Sequence, residues 1–236
     1  MNKAILETFR ITFVTFTCLA VAFILSGCHD SDKALPGATP EANIGTASIP
    51  NVGVNQRQPG PKPASFYANT TSNLTFEQIS KRVTGVQPFK NSKDEVLAYI
   101  FFDPLCPHCA NEVKLLLAPD AAIVAGKVVW VPVGFLKEFS TLQGATILSS
   151  SNPEDTFMQH EARVLQGDGK EYALNVKMAK QVDIDKVVEN TRVWREAGAN
   201  QVPFIVTRDT SGKTLAAYGE FEGFIMGEFL SLPPQS

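Results

Sequence analysis

The chain has little excess charge of either sign and no long block of like charges. Its 21 lysine and arginine residues oppose 24 acidic residues, which gives a formal net charge of -3. A protein that binds nucleic acid through its surface charge usually shows a basic patch or stripe. The composition therefore argues against a nucleic-acid partner, and we expect none.

The N-terminal region lacks an apolar run long enough to cross a membrane. Its longest uncharged stretch, Ile11 to Leu25, follows Lys3 and Arg10. It is shorter than the roughly 20 residues that a spanning helix needs. A short apolar run behind a positively charged start is typical of an export signal.

The sequence Leu-Ser-Gly-Cys, which ends at Cys28, follows this run directly and resembles the bacterial lipobox. That resemblance implies cleavage before Cys28, with residues 1–27 as the signal peptide and lipid on the Cys28 side chain. The protein would then face the periplasm in the bacterial envelope, anchored through Cys28. An ordinary cleaved signal, or an uncleaved anchor with an incidental cysteine, remains the alternative.

Cysteine is scarce, since the whole chain has four. Cys18 lies inside the apolar run and would leave with the signal, and Cys28 would be consumed by lipid. The mature chain would keep only Cys106 and Cys109 as thiols. These two can pair only with each other or with another molecule.

Residues 28–73 are predicted to form a disordered tether rich in proline and glycine. Between His29 and Ser65 there is no aromatic residue, and the stretch contains Pro36, Pro40, Pro50, Pro59, Pro61, Pro63, Gly37, Gly45, Gly53 and Gly60. Such a segment cannot bury enough apolar surface to offset its ordering entropy. An irregular but packed arm is the alternative. The folded domain is expected to span 74–236.

Three elements around the cysteines predict a parallel unit. A continuous apolar strand runs from Glu95 to Asp103, and a helix runs from Pro107 to Leu117. A second strand covers Lys127 to Phe135, where Pro132 should cut it short because proline lacks an N–H donor. A strand, helix, strand order implies a right-handed parallel connection.

The rest of the domain combines a helical segment with a hairpin. Residues 137–198 show helical patterns and no good strand pattern. Two strands are then predicted around a turn from Asp209 to Gly212, followed by a last helix from Phe221 to Leu230. A capping box of Thr75 and Gln78 predicts a short helix near the start of the domain.

The pattern Cys106-Pro107-His108-Cys109, after a buried strand and at the start of a helix, indicates disulfide exchange. Unpaired backbone N–H groups and the helix dipole at that position stabilise a thiolate. Cys106 is then the attacking sulfur, and Cys109, one turn inward, is shielded and resolves the mixed disulfide. Pro107 fixes the turn, and a protonated His108 would add positive charge beside Cys106.

Other roles for the pair stay open. A structural zinc site needs two further ligands, and the chain offers only His29 in the tether and His160 in a helix. A static disulfide would close so short a loop that it stabilises little. Metal delivery through the thiol pair is a further option. We expect no metal site and no cofactor.

Three polar residues near the motif are interpreted as structural or solvent-facing. Asp103 followed by Pro104 is a turn signal, so a turn and helix-start role is favoured over proton transfer. Glu112 could tune the thiols, but a solvated helix face is favoured. His160 is interpreted as a surface residue of its helix.

The segments "YIFFDPLCPHC", "GKVVWVPVGFLK" and "GANQVPFIV" resemble the Dsb thiol-disulfide oxidoreductases of bacterial envelopes, especially the catalytic domains of the DsbC and DsbG isomerases. The resemblance runs from about Thr75 to the C-terminus. It implies an α/β thioredoxin fold with a helical insertion at about 137–198. It also implies that Cys106 is the nucleophile, that Cys109 resolves, and that Pro203 takes a cis peptide facing the active site.

Two features depart from the isomerase pattern. Pro107-His108, and Val202 before the proline, look like the oxidase DsbA, because the isomerases usually carry tyrosine and threonine at the positions of His108 and Val202. The strand-rich arm through which the isomerases dimerise has no counterpart in residues 29–73, so we expect a monomer.

The sequence therefore predicts a lipid-anchored thiol-disulfide oxidoreductase, an oxidase or an isomerase, that acts on exported proteins. Its partners would be exported substrates with thiols or disulfides and a membrane redox protein. The alternative is a tethered thioredoxin-fold chaperone or assembly lipoprotein whose cysteines are incidental. Reactivity of Cys106 distinguishes the two classes.

We predict that the membrane form of the mature protein begins at Cys28 and carries lipid, because the short apolar run ends on Leu-Ser-Gly-Cys. Intact mass of the purified membrane form should show cleavage before residue 28 and added acyl mass. Cys28→Ser should lose both. A mature chain that starts elsewhere, or that keeps its signal, would contradict the prediction.

Overall fold

A computed structural model describes residues 62–90, 95–167 and 174–232. The predicted signal peptide, Cys28 and the tether up to residue 61 lie outside the described residues. Within the described ranges, no helix is both long and apolar enough to cross a bilayer.

The strands are β1 (Ala98–Phe102), β2 (Val128–Pro132), β3 (Phe204–Arg208) and β4 (Thr214–Tyr218). The α-helices are α1 (Phe76–Ser80), α2 (Pro107–Leu116), α3 (Ala122–Ala125), α4 (Ser140–Ser149), α5 (Pro153–Gln166), α6 (Gln181–Glu196) and α7 (Gly223–Phe229).

The four strands form one sheet in the order β2-β1-β3-β4. β1 pairs in parallel with β2, with Ile100 opposite Trp130, and antiparallel with β3. All five residues of β1 are buried, as expected for a central strand that is covered on both faces. β2 ends at Pro132, where the sequence predicted that the strand would be cut short.

The connections between the strands establish the fold. β1, α2 and β2 form the predicted parallel unit. β3 and β4 form an antiparallel hairpin through the predicted turn, in which the Gly212 N–H donates to the Asp209 carbonyl (2.9 Å). Gly212 has φ of +85°, a conformation that glycine adopts at little cost. This arrangement, with α7 after the hairpin, is the predicted thioredoxin fold.

The predicted helical insertion consists of α4, α5 and α6, which lie between β2 and β3 in the chain. Its helix α5 joins the main core through Phe157, which is fully buried. The Phe157 ring lies 5.1 Å from that of Phe102 at the end of β1 and 5.4 Å from that of Trp130 on β2. The insertion thus reaches the strand end that leads into the cysteine motif.

The packed domain begins earlier than the predicted boundary at residue 74. Residues Ala64–Phe66 form a 3-10 turn, Ala64 is buried, and Thr70 bridges to Ala216 of β4. The Tyr67 hydroxyl donates to Glu228 of α7, and this hydrogen bond is the main cause that raises the pKa of Tyr67 to about 12. Phe66 and Tyr67 are the first aromatic residues after Cys28, and they form an edge-to-face ring pair. The assignment of residues 62–73 to a disordered tether was therefore wrong.

Candidate active site

The two thiols lie at the junction between β1 and α2. Cys106 is the N-cap residue of α2, and its Sγ accepts a hydrogen bond from the Cys109 backbone N–H at 3.4 Å. Pro107 occupies the first turn, where its missing N–H costs no helical hydrogen bond. The first thiol therefore meets the unpaired N–H groups of a helix start, as the sequence predicted.

A buried carboxylate fixes the turn that presents Cys106. Asp103 Oδ1 accepts from the Leu105 N–H and from the Ser140 hydroxyl, both at 2.9 Å. Asp103 Oδ2 accepts from the N–H groups of Phe135 and Leu136, both at 2.8 Å. One side chain thus joins the β1–α2 turn, the loop after β2 and the start of α4. This agrees with the turn role favoured from the sequence.

The environment of Cys106 favours its thiolate. A hydrogen bond from the Cys109 side chain is the largest cause that lowers the pKa of Cys106 to about 7, and the N–H groups of Cys109 and His108 lower it further. Burial acts in the opposite direction, because the residue is only 3% exposed. When protonated, the Cys106 thiol can donate to the Val202 carbonyl, 3.9 Å away.

Cys109 lies in the opposite environment. It is fully buried among core side chains, and burial raises its pKa well above the ordinary value. The hydrogen bond to Cys106 and the charge of that thiolate raise it further. The structure has no disulfide between the two sulfurs. The pair therefore combines an easily ionised sulfur with a shielded one.

His108 points outward and pairs with a carboxylate that the sequence analysis did not identify. Its Nδ1 lies 2.6 Å from Glu220 Oε1, and this hydrogen bond is the largest cause that raises the pKa of His108. Asn111, one turn later on α2, donates to the other oxygen of Glu220. The positive charge that a protonated His108 was expected to place beside Cys106 is therefore paired with the Glu220 carboxylate.

The second half of the site is the loop before β3. The Val202–Pro203 peptide bond is cis, the geometry that the family resemblance implied for Pro203. Val202 and Pro203, together with His108, Tyr218 and Glu220, line an open groove of about 360 Å³. The structure thus brings His108, Val202 and Pro203 together beside Cys106.

Two expectations about polar residues near the motif were wrong. Glu112 is buried rather than solvated, since its Oε2 accepts from the Phe221 N–H at 2.6 Å. Burial is the main cause that raises the pKa of Glu112 to about 8. His160 is 1% exposed, and its Nε2 lies 2.6 Å from the Pro104 carbonyl, to which it donates. Both errors arise because α2 is covered on one side by α5 and on another by the segment before α7.

A second buried acid, Glu161, was not singled out from the sequence at all. It follows His160 on α5 and is 1% exposed. Burial raises its pKa well above the ordinary value, and the charges of Cys106 and Asp103 raise it further. It lies four residues after Phe157 and three before Val164, both buried, and this helical spacing is the signal that could have placed it on the inner face of α5.

The residues that the structure describes contain no group of three or more histidine, cysteine, aspartate and glutamate side chains placed to hold a metal ion. The thiol pair itself supplies two sulfur ligands. A tetrahedral zinc site usually takes four protein ligands. Zinc therefore finds no complete ligand set among the described residues.

One curated relative shares sequence with part of this chain. Over 113 residues, the chain is 32% identical to the thiol:disulfide interchange protein DsbG of Escherichia coli (strain K12). The match covers 47% of this chain and 42% of that protein, so it spans less than half the length of the curated relative. No known protein-family model matches the chain.

Solved structures share the fold at low sequence identity. The crystal structure of Proteus mirabilis ScsC in a compact conformation aligns with a TM-score of 0.51 and 15% identity, covering 71% of this chain and 83% of that one. A periplasmic thioredoxin-like protein from Salmonella enterica serovar Typhimurium aligns with a TM-score of 0.47 and 16% identity, covering 65% and 96%. The ScsC similarity supports the thioredoxin fold established by the strand order.

We predict that the Cys109 side chain, as a hydrogen-bond donor, sets much of the low pKa of Cys106. Cys109→Ala should raise the pKa of Cys106 from about 7 towards its ordinary value of 9.0. Cys109→Ser keeps a donor at the same place and should raise it much less. Thiolate absorbance against pH measures both. Equal pKa values for Cys106 in the two variants would contradict the prediction.

Proposed function

We propose that this chain is a thiol-disulfide oxidoreductase that introduces or rearranges disulfide bonds in exported proteins of the bacterial envelope. The observation that supports it most directly is the difference between the two thiols. Cys106 sits at a helix N-terminus with its pKa lowered to about 7, and Cys109 is fully buried behind it. An attacking sulfur must ionise easily, as the position of Cys106 allows. A resolving sulfur must be shielded, as Cys109 is.

The chemistry in the oxidising direction is two successive thiol exchanges. A substrate thiolate attacks Sγ of Cys106 in the Cys106–Cys109 disulfide, forms a mixed disulfide and releases the sulfur of Cys109. A second substrate thiolate then attacks the substrate sulfur of that mixed disulfide and releases Cys106 as a thiolate. The substrate loses two electrons and the protein pair gains them. A sulfur with a low pKa leaves readily, which favours the second step.

Rearrangement of a substrate disulfide uses the same atoms in the reverse sense. The Cys106 thiolate attacks the substrate disulfide, and either another substrate thiol or Cys109 resolves the mixed disulfide. We favour the oxidising direction, because any group that stabilises the Cys106 thiolate stabilises the reduced protein and makes its disulfide a stronger oxidant. The oxidase-like residues Pro107, His108 and Val202 support that choice.

The proposed setting is the periplasmic side of the envelope, with the domain anchored by lipid on Cys28. An oxidase must be reoxidised after each turnover, so we propose a membrane redox protein as its partner. The predicted signal peptide and lipobox support this location. The similarity to DsbG, a protein named for thiol:disulfide interchange, agrees with the kind of reaction.

A second candidate is a polypeptide-binding protein whose cysteines take no part. Three apolar side chains in the loop after β2 favour it: Phe135, Leu136 and Phe139 are 41%, 40% and 56% exposed. Asp103 holds this loop beside the cysteine turn through the Phe135 and Leu136 N–H groups. Such a surface would also serve an enzyme that acts on unfolded chains, so only the reactivity of Cys106 separates the candidates.

We predict that Cys109→Ser accumulates mixed disulfides with an unfolded substrate protein that carries disulfides, because the Cys106 thiolate attacks a substrate disulfide and no resolving thiol then releases it. Cys106→Ser should form none and should lose oxidation of a reduced substrate altogether. Non-reducing electrophoresis after acid quenching measures the adducts, and release of the substrate by a reductant confirms the bond. A wild type that does not oxidise a reduced substrate, together with a Cys109→Ser variant that forms no adduct, would reject the enzyme and favour the binding protein.

A further inference from the structure

A carboxylate on the wall of the groove is held at a fixed place beside the cysteine motif. Glu220 Oε1 lies 2.6 Å from His108 Nδ1, and Glu220 Oε2 accepts from the Asn111 side chain. Asn111 lies one turn farther from the start of α2 than His108 does. The cis Val202–Pro203 loop lines the same groove. Glu220 is therefore part of the site, although it follows β4 and lies far from the motif in the chain.

The loop around Glu220 is fixed on both sides. Gly219 has φ of +119°, which residues with a side chain rarely adopt, and a Cβ at this position would meet no atom within 4 Å. The backbone conformation, and not a lack of space, therefore requires glycine there. The Gly219 N–H donates to the Pro203 carbonyl at 3.4 Å, and the Phe221 N–H donates to the buried Glu112 at 2.6 Å. Both neighbours of Glu220 are thus bound to the site.

The stability of the ion pair does not explain this arrangement. The His108 side chain is 76% exposed and that of Glu220 is 25% exposed. An exposed ion pair adds little to stability, because its charges are already well solvated and ordering two side chains costs entropy. A carboxylate that is positioned by Asn111 and by both of its chain neighbours therefore calls for a role in the chemistry of the groove.

Glu220 acts on the charge of His108. Its hydrogen bond is the largest cause that raises the pKa of His108 above the ordinary value of 6.5, and the charge of the Cys106 thiolate raises it too. The second effect is reciprocal, so a protonated His108 favours the thiolate of Cys106. An unpaired histidine loses its proton close to neutral pH. With Glu220 beside it, His108 keeps its positive charge to a higher pH.

Titratable side chains of three elements surround this pair. They include Cys106 and Glu112 on α2, Tyr218 on β4, and Glu222 at the start of α7. Burial raises the pKa of Glu112 to about 8, so this carboxyl is mostly uncharged at neutral pH. The Tyr218 hydroxyl accepts from the Asn200 N–H at 3.1 Å. Glu222 is exposed, so that water and salt screen its charge. Glu220 is thus the carboxylate that pairs with His108.

We propose that Glu220 is a positioning residue that holds the His108 imidazolium in place beside Cys106, and that it thereby keeps Cys106 an efficient attacking and leaving sulfur above neutral pH. This inference rests on the proposed function. The sulfur exchanges are those of the oxidising direction, and Glu220 takes no proton from either sulfur. It acts through His108. The three side chains alternate in charge, from carboxylate to imidazolium to thiolate.

The opposite effect would follow if Glu220 acted on Cys106 directly. A carboxylate near a thiol disfavours the thiolate, because like charges repel. Removal of a directly acting Glu220 would therefore promote ionisation of Cys106 at every pH. Removal of a Glu220 that acts through His108 should suppress ionisation of Cys106, but only at a pH where His108 then loses its proton. The direction of the change separates the two roles.

The test measures alkylation of Cys106 in the reduced full chain by iodoacetamide, an uncharged reagent that reacts with thiolates, from about pH 5 to about pH 8. Each rate is divided by its plateau at high pH, which gives the thiolate fraction. Peptide mapping verifies that Cys106 carries the label, since Cys109 is fully buried. Glu220→Gln removes the charge and keeps the shape of the side chain.

Two further variants separate the possible causes. Glu222→Gln is the matched control, because it removes an exposed acid of the same loop whose side chain makes no capping hydrogen bond to α7. Glu220→Gln is also made in a His108→Gln background, where the proposed route to Cys106 is absent. NMR titration of the His108 ring reports its pKa directly, and chemical denaturation of each variant verifies folding.

We expect Glu220→Gln to lower the pKa of His108 towards 6.5. Above about pH 7, the ratio of thiolate to thiol at Cys106 should fall about 3-fold, the size expected for an exposed ion pair. Below about pH 5.5, His108 is protonated in both proteins, and the variant should react at least as fast as the wild type. Glu220→Gln should slow the His108→Gln protein no further. Glu222→Gln should match the wild type.

Four results would overturn the inference and leave the proposed function intact. The first is an equal or larger thiolate fraction in Glu220→Gln above about pH 7. The second is a further slowing when Glu220→Gln is added to His108→Gln, and the third is equal slowing in Glu222→Gln. The fourth is a wild-type His108 pKa at or below 6.5, which decides the matter even if a variant does not fold. A wild type that does not oxidise a reduced substrate would instead reject the proposed function, and the role of Glu220 with it.

Discussion

The site depends on the carboxylate of Asp103. It accepts four hydrogen bonds, from the turn before α2, from the loop after β2 and from Ser140 at the start of α4. Those segments are brought together because β1 and β2 are parallel neighbours, so their carboxyl ends meet at one edge of the sheet. With the turn held in this way, Cys106 can cap α2. Its sulfur then meets the N–H groups that stabilise a thiolate.

The difference between the two sulfurs follows from that position. Cys106 lies at the helix start beside the cis Val202–Pro203 loop and the groove, whereas Cys109, one turn on, enters the core. The hydrogen bond from Cys109 to Cys106 lowers the pKa of Cys106 and raises the pKa of Cys109. The insertion also contacts the cysteine turn, where His160 donates to the Pro104 carbonyl. Both α2 and α5 therefore contact the turn that presents Cys106.

The sequence predicted the local features because each was encoded within a few residues. The strand, turn and helix around "FFDPLCPHC", the roles of Pro107 and Pro132, and the turn at Gly212 rest on near neighbours in the chain. The polar surroundings of the thiols were missed because their contacts are distant. Glu220 reaches His108 across 112 positions, and Phe221 reaches Glu112 across 109. His160 and Glu161 share the inner face of α5 with Phe157 and Val164, but they were missed because titratable side chains are mostly exposed in proteins.

We propose that the surroundings of Cys106 stabilise the reduced pair and make the disulfide oxidising. Equilibration of the protein with glutathione at known ratios, followed by trapping of the free thiols, gives the reduction potential of the Cys106/Cys109 pair directly. We expect a potential less negative than about -200 mV, on the side of the known oxidases and isomerases. A potential at or below about -270 mV, that of thioredoxin, would contradict it.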